Sequence, residues 1–213
     1  MTVSLIEILG SDLTVVNAAR VSFDNHHESF TNTDTKLIKY LATHGHWTPF
    51  GHPQLQFRIT APIFVARQLV KHQVGLVWNE ISRRYVDTDP VFLVPKEWRE
   101  RAVDKKQGSG EGKIILTLAD QRIVEQTQID ALQAYKMLIS KNVAPEQARM
   151  LLPQSMFTEW YWTGSLYAFS RVCNLRLSTD AQEETREVAQ EISTLIEPHF
   201  PISWEHLMKN KEG

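Results

Sequence analysis

A chain of 213 residues, 42% hydrophobic and 23% charged, can bury a core of its own without staples, and its single cysteine, Cys173, excludes an internal disulfide and any multi-cysteine zinc site. A formal net charge of -2 argues against a globally basic nucleic-acid binder, whose phosphate contacts would show in the balance. The opening M-T-V-S-L-I-E-I-L-G-S-D lacks a basic region ahead of a long apolar core, and no apolar run reaches membrane-spanning length, so a cytoplasmic chain folded as one domain over 1–213 is expected.

Residues 3–9, rich in β-formers and closed by Gly10, predict a first strand. Ser11 or Asp12 can cap a short helix through 13–20. The polar stretch 24–33 reads as a loop with His26 and His27 facing solvent. A helix from Asp34 follows, its apolar face made by Leu37, Ile38 and Leu41, stopping at Gly45. His44, His46 and His52 fall close together in H-G-H-W-T-P-F-G-H, which suggests a metal. Pro49 and the glycines break the regular spacing that would align these rings, and no carboxylate lies nearby in sequence, so the reading is no metal.

Residues 54–61 alternate as a strand does, and Pro62 suits the start of a helix running to about residue 73. Along that helix Arg67 with Lys71, and Gln68 with His72, would form adjoining polar ridges. The stretch 67–85 interleaves Arg67, Lys71, Arg83 and Arg84 with Leu69, Val70, Val74, Leu76, Val77 and Trp78. Cations on a half-buried frame suit an anionic ligand, although an amphipathic helix running into a solvated loop has the same pattern. Residues 79–85 read as an irregular turn, 91–95 as another strand and 101–113 as a flexible surface loop, since its glycines lack a P-loop lysine. Long helices are expected over about 117–142 and 180–197, an aromatic β-prone segment over 157–163, and a helix from Ser165 to about Leu175 that carries Arg171 and is followed at once by Arg176.

Six segments in order then resemble one family: N-A-A-R-V-S-F (17–23), H-G-H-W-T-P-F-G-H (44–52), A-P-I-F-V-A-R-Q (61–68), N-E-I-S-R-R-Y (79–85), A-R-M-L-L-P (148–153) and N-L-R (174–176). The chain resembles the flavin-dependent thymidylate synthases over nearly its whole length. The resemblance implies an α+β fold, with a mixed or antiparallel sheet flanked by long helices, of the kind seen in thymidylate synthase-complementing proteins. It implies reductive methylation of dUMP to dTMP, with 5,10-methylenetetrahydrofolate as carbon donor, FAD as hydride carrier and NADPH as reductant. A homotetramer with shared active sites is implied, with neither nucleic acid nor membrane as partner.

Roles carried over by the resemblance fall on individual positions. Arg176 matches the arginine that stabilises negative charge at N3 and O2 of the uracil; its plainer reading is a helix C-terminal cap. His46 matches a histidine beside the flavin that helps to position folate, and it is grouped with Arg176 as catalytic. Gln68, Lys71, Glu80, Ile81, Ser82, Arg83, Arg84 and Arg149 would join Arg176 in binding substrate. Thr48, Lys71, His72, Gln73, Val74 and Glu80 would contact FAD. Cys173, in an apolar helical context, reads as a packed thiol, and Ser82 lacks an evident activating base.

The chain departs from the family pattern where that pattern matters. Lys71-His72-Gln73 stands where Arg-His-Arg is usual, and eight residues instead of seven separate Gln73 from Ser82. Arg83 replaces a glycine and Gly51 a glutamate, while Ser165, Tyr167 and Arg171 stand where Asn, Arg and Asn are common. The charges suggest a rearranged cationic pocket in which Arg171 takes part of the FAD phosphate contact. The altered loop leaves open another one-carbon transfer at C5 of a pyrimidine nucleotide, such as hydroxymethylation. A nucleic-acid binder using Lys71, Arg83 and Arg84 is the alternative from another class.

Overall fold

A computed structural model describes residues 1–86, 88–103 and 108–209. Strands β1 (Thr2–Leu9), β2 (Gln54–Pro62) and β3 (Leu76–Glu80) join β6 (Phe157–Ser165) in an antiparallel sheet of order β1-β2-β6-β3. The two-residue period of β2 buries Leu55, Phe57, Ile59 and Ala61 on one face. Their partners across the ladder are Gly164, Trp162, Trp160 and Thr158, which are buried as well. The opposite face is polar. There Arg58 donates to Glu159 at 2.7 Å, Thr60 to the same carboxylate at 3.1 Å, and Gln56 to Thr163 at 3.0 Å. A slip of one residue would exchange the two faces, so burial of one of them fixes the register.

Helices cover the apolar face. They are α1 (Asp12–Arg20), α2 (Asn32–Thr43), α3 (Ile63–Leu69), α6 (Leu166–Arg176), α7 (Glu183–Ile196) and α8 (Pro201–Lys209). They contribute Val15, Val16, Ile38, Leu69, Phe169, Val172, Ile192 and Trp204 to one core with the sheet. Phe169 lies edge-on to both Phe57, at 4.9 Å, and Trp162, at 5.4 Å, so α6 is keyed directly into the two central strands. Asp12, buried at the start of α1, accepts from the backbone N–H groups of Ile202 and Ser203, both at 2.9 Å, and so caps α8 from the other end of the chain.

The remaining elements stand apart from this core. Strands β4 (Trp98–Arg99) and β5 (Lys113–Ile114) make a short hairpin, and α4 (Leu118–Ser140) leads into α5 (Pro145–Ala148) and a 3₁₀ turn, Arg149–Leu151. The sheet is antiparallel throughout.

Four local expectations are corrected. Helix α3 ends at Leu69, because the chain must reverse at Gly75, whose φ of +77° is left-handed, to enter β3. Arg67 and Lys71 therefore do not share a helical ridge. Residues 79–80 belong to β3, which forms by pairing with β6. Residues 91–95 make a single bridge, Phe92 with Met156, because Pro95 lacks an N–H for the ladder. His27 is held half-buried: its Nδ1 lies 3.0 Å from Asp34, a fully buried carboxylate that also accepts from Arg20 at 2.8 Å and from Thr31. Burial alone would raise the Asp34 pKa; the hydrogen bonds from Thr31, His27 and Arg20 outweigh it and hold the carboxyl far below its ordinary value. Residues 104–107 of the expected 101–113 loop lie outside the described residues.

Candidate active site

Gln68, His72 and Arg176 meet where the end of α3 faces the end of α6. Val65, Ala66 and Leu69 anchor α3 in the core, leaving Arg67 exposed and Gln68 half-buried. After Leu69 the chain turns, and the His72 N–H donates to the Leu69 carbonyl at 3.0 Å. Gly164 allows β3 to cross β6 closely here. A Cβ on it would collide with the Leu76 side chain and lie 2.6 Å from the Gly75 carbonyl oxygen.

Arg176 is the last residue of α6 and turns its guanidinium toward α3. Its Nε donates to His72 Nε2 at 3.0 Å, and Nη2 donates to the Gln68 carbonyl at 3.0 Å. A ring nitrogen that accepts from a guanidinium carries no proton, so the His72 proton sits on Nδ1. The His72 pKa is pushed down to about 4, first by burial and then by the positive charges of Arg176 and Arg171. Burial also lowers the Arg176 pKa, but a guanidinium starts so high that it stays charged. Among the described residues no carboxylate pairs with Arg176. The result is a half-buried cation, held by two neutral acceptors, with its remaining N–H groups unclaimed among the described residues.

More positive charge surrounds this group. Lys71 and Arg171 are exposed and have no ion-pair partner among the described residues. Gln73 and Val74 are exposed in the turn beside Lys71. One helical turn before Arg171, Tyr167 packs against Trp47 with ring centres 5.7 Å apart, which brings the 44–52 segment onto α6. Thr48 begins a 3₁₀ turn, Thr48–Gly51, and is exposed, as is His46. The His46 ring lies 5.8 Å from Tyr40 and 6.4 Å from His44, in a small aromatic group and not a ligand set. No group of three or more His, Cys, Asp or Glu among the described residues could hold a metal.

Glu80 closes β3. Its carboxylate accepts from Thr158 at 2.7 Å and from the Trp78 indole at 3.2 Å, which fixes it against β6. Ile81 continues the pairing through its N–H to the Glu159 carbonyl at 2.9 Å. In the following turn Ser82 Oγ accepts from the Arg84 N–H at 3.3 Å and Nε at 3.4 Å, and Arg83 donates to the Thr88 carbonyl. Among the described residues no base approaches the Ser82 hydroxyl, which suits it to binding and not to attack. Arg84 lies over the Tyr85 ring at 5.1 Å. Arg149 sits apart, exposed on the 3₁₀ turn that packs against α4; among the described residues no hydrogen bond or ion pair joins it to the Arg176 group. Cys173 is fully buried, its thiol 3.6 Å from the Ala189 carbonyl.

Sequence reading missed a set of side chains behind Gln68. Gln68 Nε2 donates to Gln182 Oε1 at 2.5 Å, and Gln182 Nε2 donates to Glu184 at 2.9 Å. Arg99 on β4 in turn bonds Glu184 at 2.6 Å and Glu183 at 2.8 Å. In sequence these acids look like the ordinary acidic first turn of α7, and nothing local shows that they face α3.

Comparison with known proteins bears on the whole constellation. The family described as thymidylate synthase complementing protein matches residues 4–202. A flavin-dependent thymidylate synthase from Thermus thermophilus is 39% identical over 213 residues, covering 97% of this chain and 77% of that one. The one from Kosmotoga olearia is 37% identical over 206 residues, covering 95% and 88%. Among solved structures, the UMP/dUMP methylase PolB from Streptomyces cacaoi, bound with 5-Br dUMP, superposes with a TM-score of 0.84 at 30% identity, covering 96% of this chain and 93% of that one.

Proposed function

The chain belongs to the flavin-dependent thymidylate synthase family, and we propose that it methylates dUMP reductively to dTMP. The carbon comes from 5,10-methylenetetrahydrofolate, the cofactor is FAD, and NADPH is the reductant. The observation that carries this reading is the half-buried Arg176 guanidinium, held by His72 and Gln68 with no carboxylate among the described residues to neutralise it. A site of this kind stabilises negative charge that develops on a ligand, because the donor is already oriented and need not reorganise. For dUMP the charge falls on the uracil, toward N3 and O2. Glu80 and the turn of Ile81, Ser82, Arg83 and Arg84 bind the rest of the nucleotide, with Lys71 and Gln68 beside it.

The residues around the turn fit FAD. Arg171 acts electrostatically on His72, and Lys71 precedes it in the chain; both are exposed without an ion-pair partner among the described residues and suit a pyrophosphate, with Gln73, Val74, Thr48 and Glu80 as the further FAD contacts. When bound, the flavin supplies the hydride that completes the methyl group. His72, neutral and with its proton on Nδ1, offers that side a hydrogen-bond donor without adding charge. His46 stands on the 44–52 segment that Trp47 joins to α6, where it can orient the folate. Arg149 reaches the nucleotide from another subunit in a homotetramer, a reading supported by its separation from Arg176 and by the apolar surface of α4 beside it. The enzyme acts in the cytoplasm.

The test is incubation of purified protein with FAD, NADPH, methylenetetrahydrofolate and either dUMP or UMP, followed by mass analysis of the nucleotide. A gain of one methyl group on dUMP is expected. A hydroxymethyl product, or no product from an FAD-loaded protein, would overturn the reading. The UMP arm matters because the related PolB is a methylase of both nucleotides.

A further inference from the structure

We propose that Gln182 and Glu184 are positioning residues that set the direction of the Gln68 side-chain amide through a chain of hydrogen bonds ending at Arg99. The inference rests on the reading that Gln68 binds the nucleotide.

Chemistry fixes the direction of every link. Arg99 can only donate, and it holds Glu184 at 2.6 Å and Glu183 at 2.8 Å. Glu184 is ionised: burial raises its pKa, but the bond from Arg99, a backbone N–H and the bond from Gln182 together bring it below the ordinary value. An ionised carboxylate only accepts, so Gln182 must turn its NH₂ toward Glu184, as it does at 2.9 Å. The Gln182 carbonyl oxygen is thereby left facing Gln68. It accepts from Gln68 Nε2 at 2.5 Å.

Gln68 has one remaining choice removed by this arrangement. Its amide nitrogen is committed to Gln182, and its Oε1 has no protein donor among the described residues. An amide that could turn freely would present oxygen or nitrogen to a ligand with similar ease; here the oxygen end is set in advance. The same residue's backbone carbonyl receives Arg176, so the chain also braces the carbonyl that orients the guanidinium. Substituting Glu184→Gln reverses the logic. Arg99 would claim the new amide's oxygen, its NH₂ would face Gln182, and each amide in turn would have to flip. Pre-setting an orientation improves binding by removing disorder that the ligand would otherwise have to remove.

A double-mutant cycle between Gln182→Met and Gln68→Met tests this, read by calorimetric binding of dUMP to the FAD-loaded enzyme and by chemical unfolding. Loss of a net hydrogen bond of about 1 kcal/mol predicts that Gln182→Met weakens dUMP by roughly fivefold to tenfold, with FAD retained. In the Gln68→Met background the same change should have no further effect on dUMP affinity. Glu184→Gln, which keeps the side-chain shape, should likewise weaken dUMP only while Gln68 is present. Additive losses, or dUMP affinity unchanged in both single variants, would overturn the relay. Coupling in unfolding but not in dUMP affinity would show a contact that merely supports the fold, and would overturn it too. Failure of the unmutated enzyme to bind dUMP is a separate result, which removes the substrate assignment and this inference with it.

Discussion

Helices α6 and α4 both carry many apolar residues, yet the chain treats them in opposite ways. In α6, an 11-residue helix, Leu166, Ala168, Phe169, Ser170, Val172 and Cys173 are all buried. In α4, which is 23 residues long, Tyr135 is the one buried residue, while Leu118 is 74% exposed and Ile123 65% exposed. Ile115 and Met150, close by in sequence, are also exposed. The difference separates two parts of the site. Arg176 rides on a helix whose position the chain sets for itself, so the guanidinium can be oriented before any ligand arrives. Arg149 sits beside a helix whose apolar surface the described residues leave exposed, and under the proposed function its approach to a nucleotide would depend on a second surface. Scattered exposed apolar residues are ordinary, but several along one long helix give a partner surface something to cover.

The contrast is tested most strongly by truncating one apolar side chain on each helix, buried on α6 and exposed on α4. Phe169→Ala removes a ring wedged between Phe57 and Trp162, and should cost about 3–5 kcal/mol in chemical unfolding. Ile123→Ala should change the unfolding of an isolated chain by less than about 0.5 kcal/mol. If α4 is instead covered by another copy, Ile123→Glu will shift the sedimentation profile toward smaller species. A large loss of stability without any change in assembled mass would mean that α4 packs within its own chain, and the comparison would fail.

Next in size is the effect of Arg176 itself. Removing one oriented donor from a charge-stabilising site lowers turnover by about 10²–10³-fold, so Arg176→Ala should lose about that much dTMP formation while melting close to the unmutated protein. Arg176→Lys should recover little of it. An ammonium cannot hold His72 Nε2 and the Gln68 carbonyl together while presenting a planar fork to the substrate. Nearly full activity in the lysine variant would reduce Arg176 to a structural cap on α6.

The parts of this architecture that sequence made legible are those whose pattern is local. Alternation through 54–61 shows a strand with unlike faces, and the structure gives it one buried and one polar face. The 3.6-residue pattern of α7 likewise places Val188 and Ile192 in the core. Strand β3 was not legible, because L-V-W-N-E becomes a strand only by pairing with β6, some eighty residues on. The same holds for α8, whose first amides are capped by Asp12 from the far end of the chain. For the site, resemblance named Gln68, His72 and Arg176, but Arg176 read locally as a helix cap. Its hold on His72 spans the fold and has no short-range signature. Gln182, Glu184 and Arg99 were hidden for the same reason: each has a sufficient local explanation, and their direction emerges only from contacts across the fold.

The smallest expected effect concerns His72, and its sign follows from proton counting. In the fold His72 titrates at about 4, against an ordinary value of 6.5. Between those values the unfolded chain binds a proton that the native chain does not, so acid favours unfolding. The stabilising contribution of neutral His72 is therefore fully present above about 6.5 and is lost as pH falls toward 4. His72→Gln offers Arg176 an amide oxygen as acceptor and does not titrate. Its melting temperature relative to the unmutated protein should rise as pH is lowered from 7 to 5. Affinity of the folded protein for dUMP should stay level over the same range and fall only as pH nears 4, where the native imidazole gains its proton, can no longer accept from Arg176 and repels it. A difference in melting that stays flat across this range would show that folding does not lower the His72 pKa, and would remove it as the neutral acceptor that holds Arg176 in place.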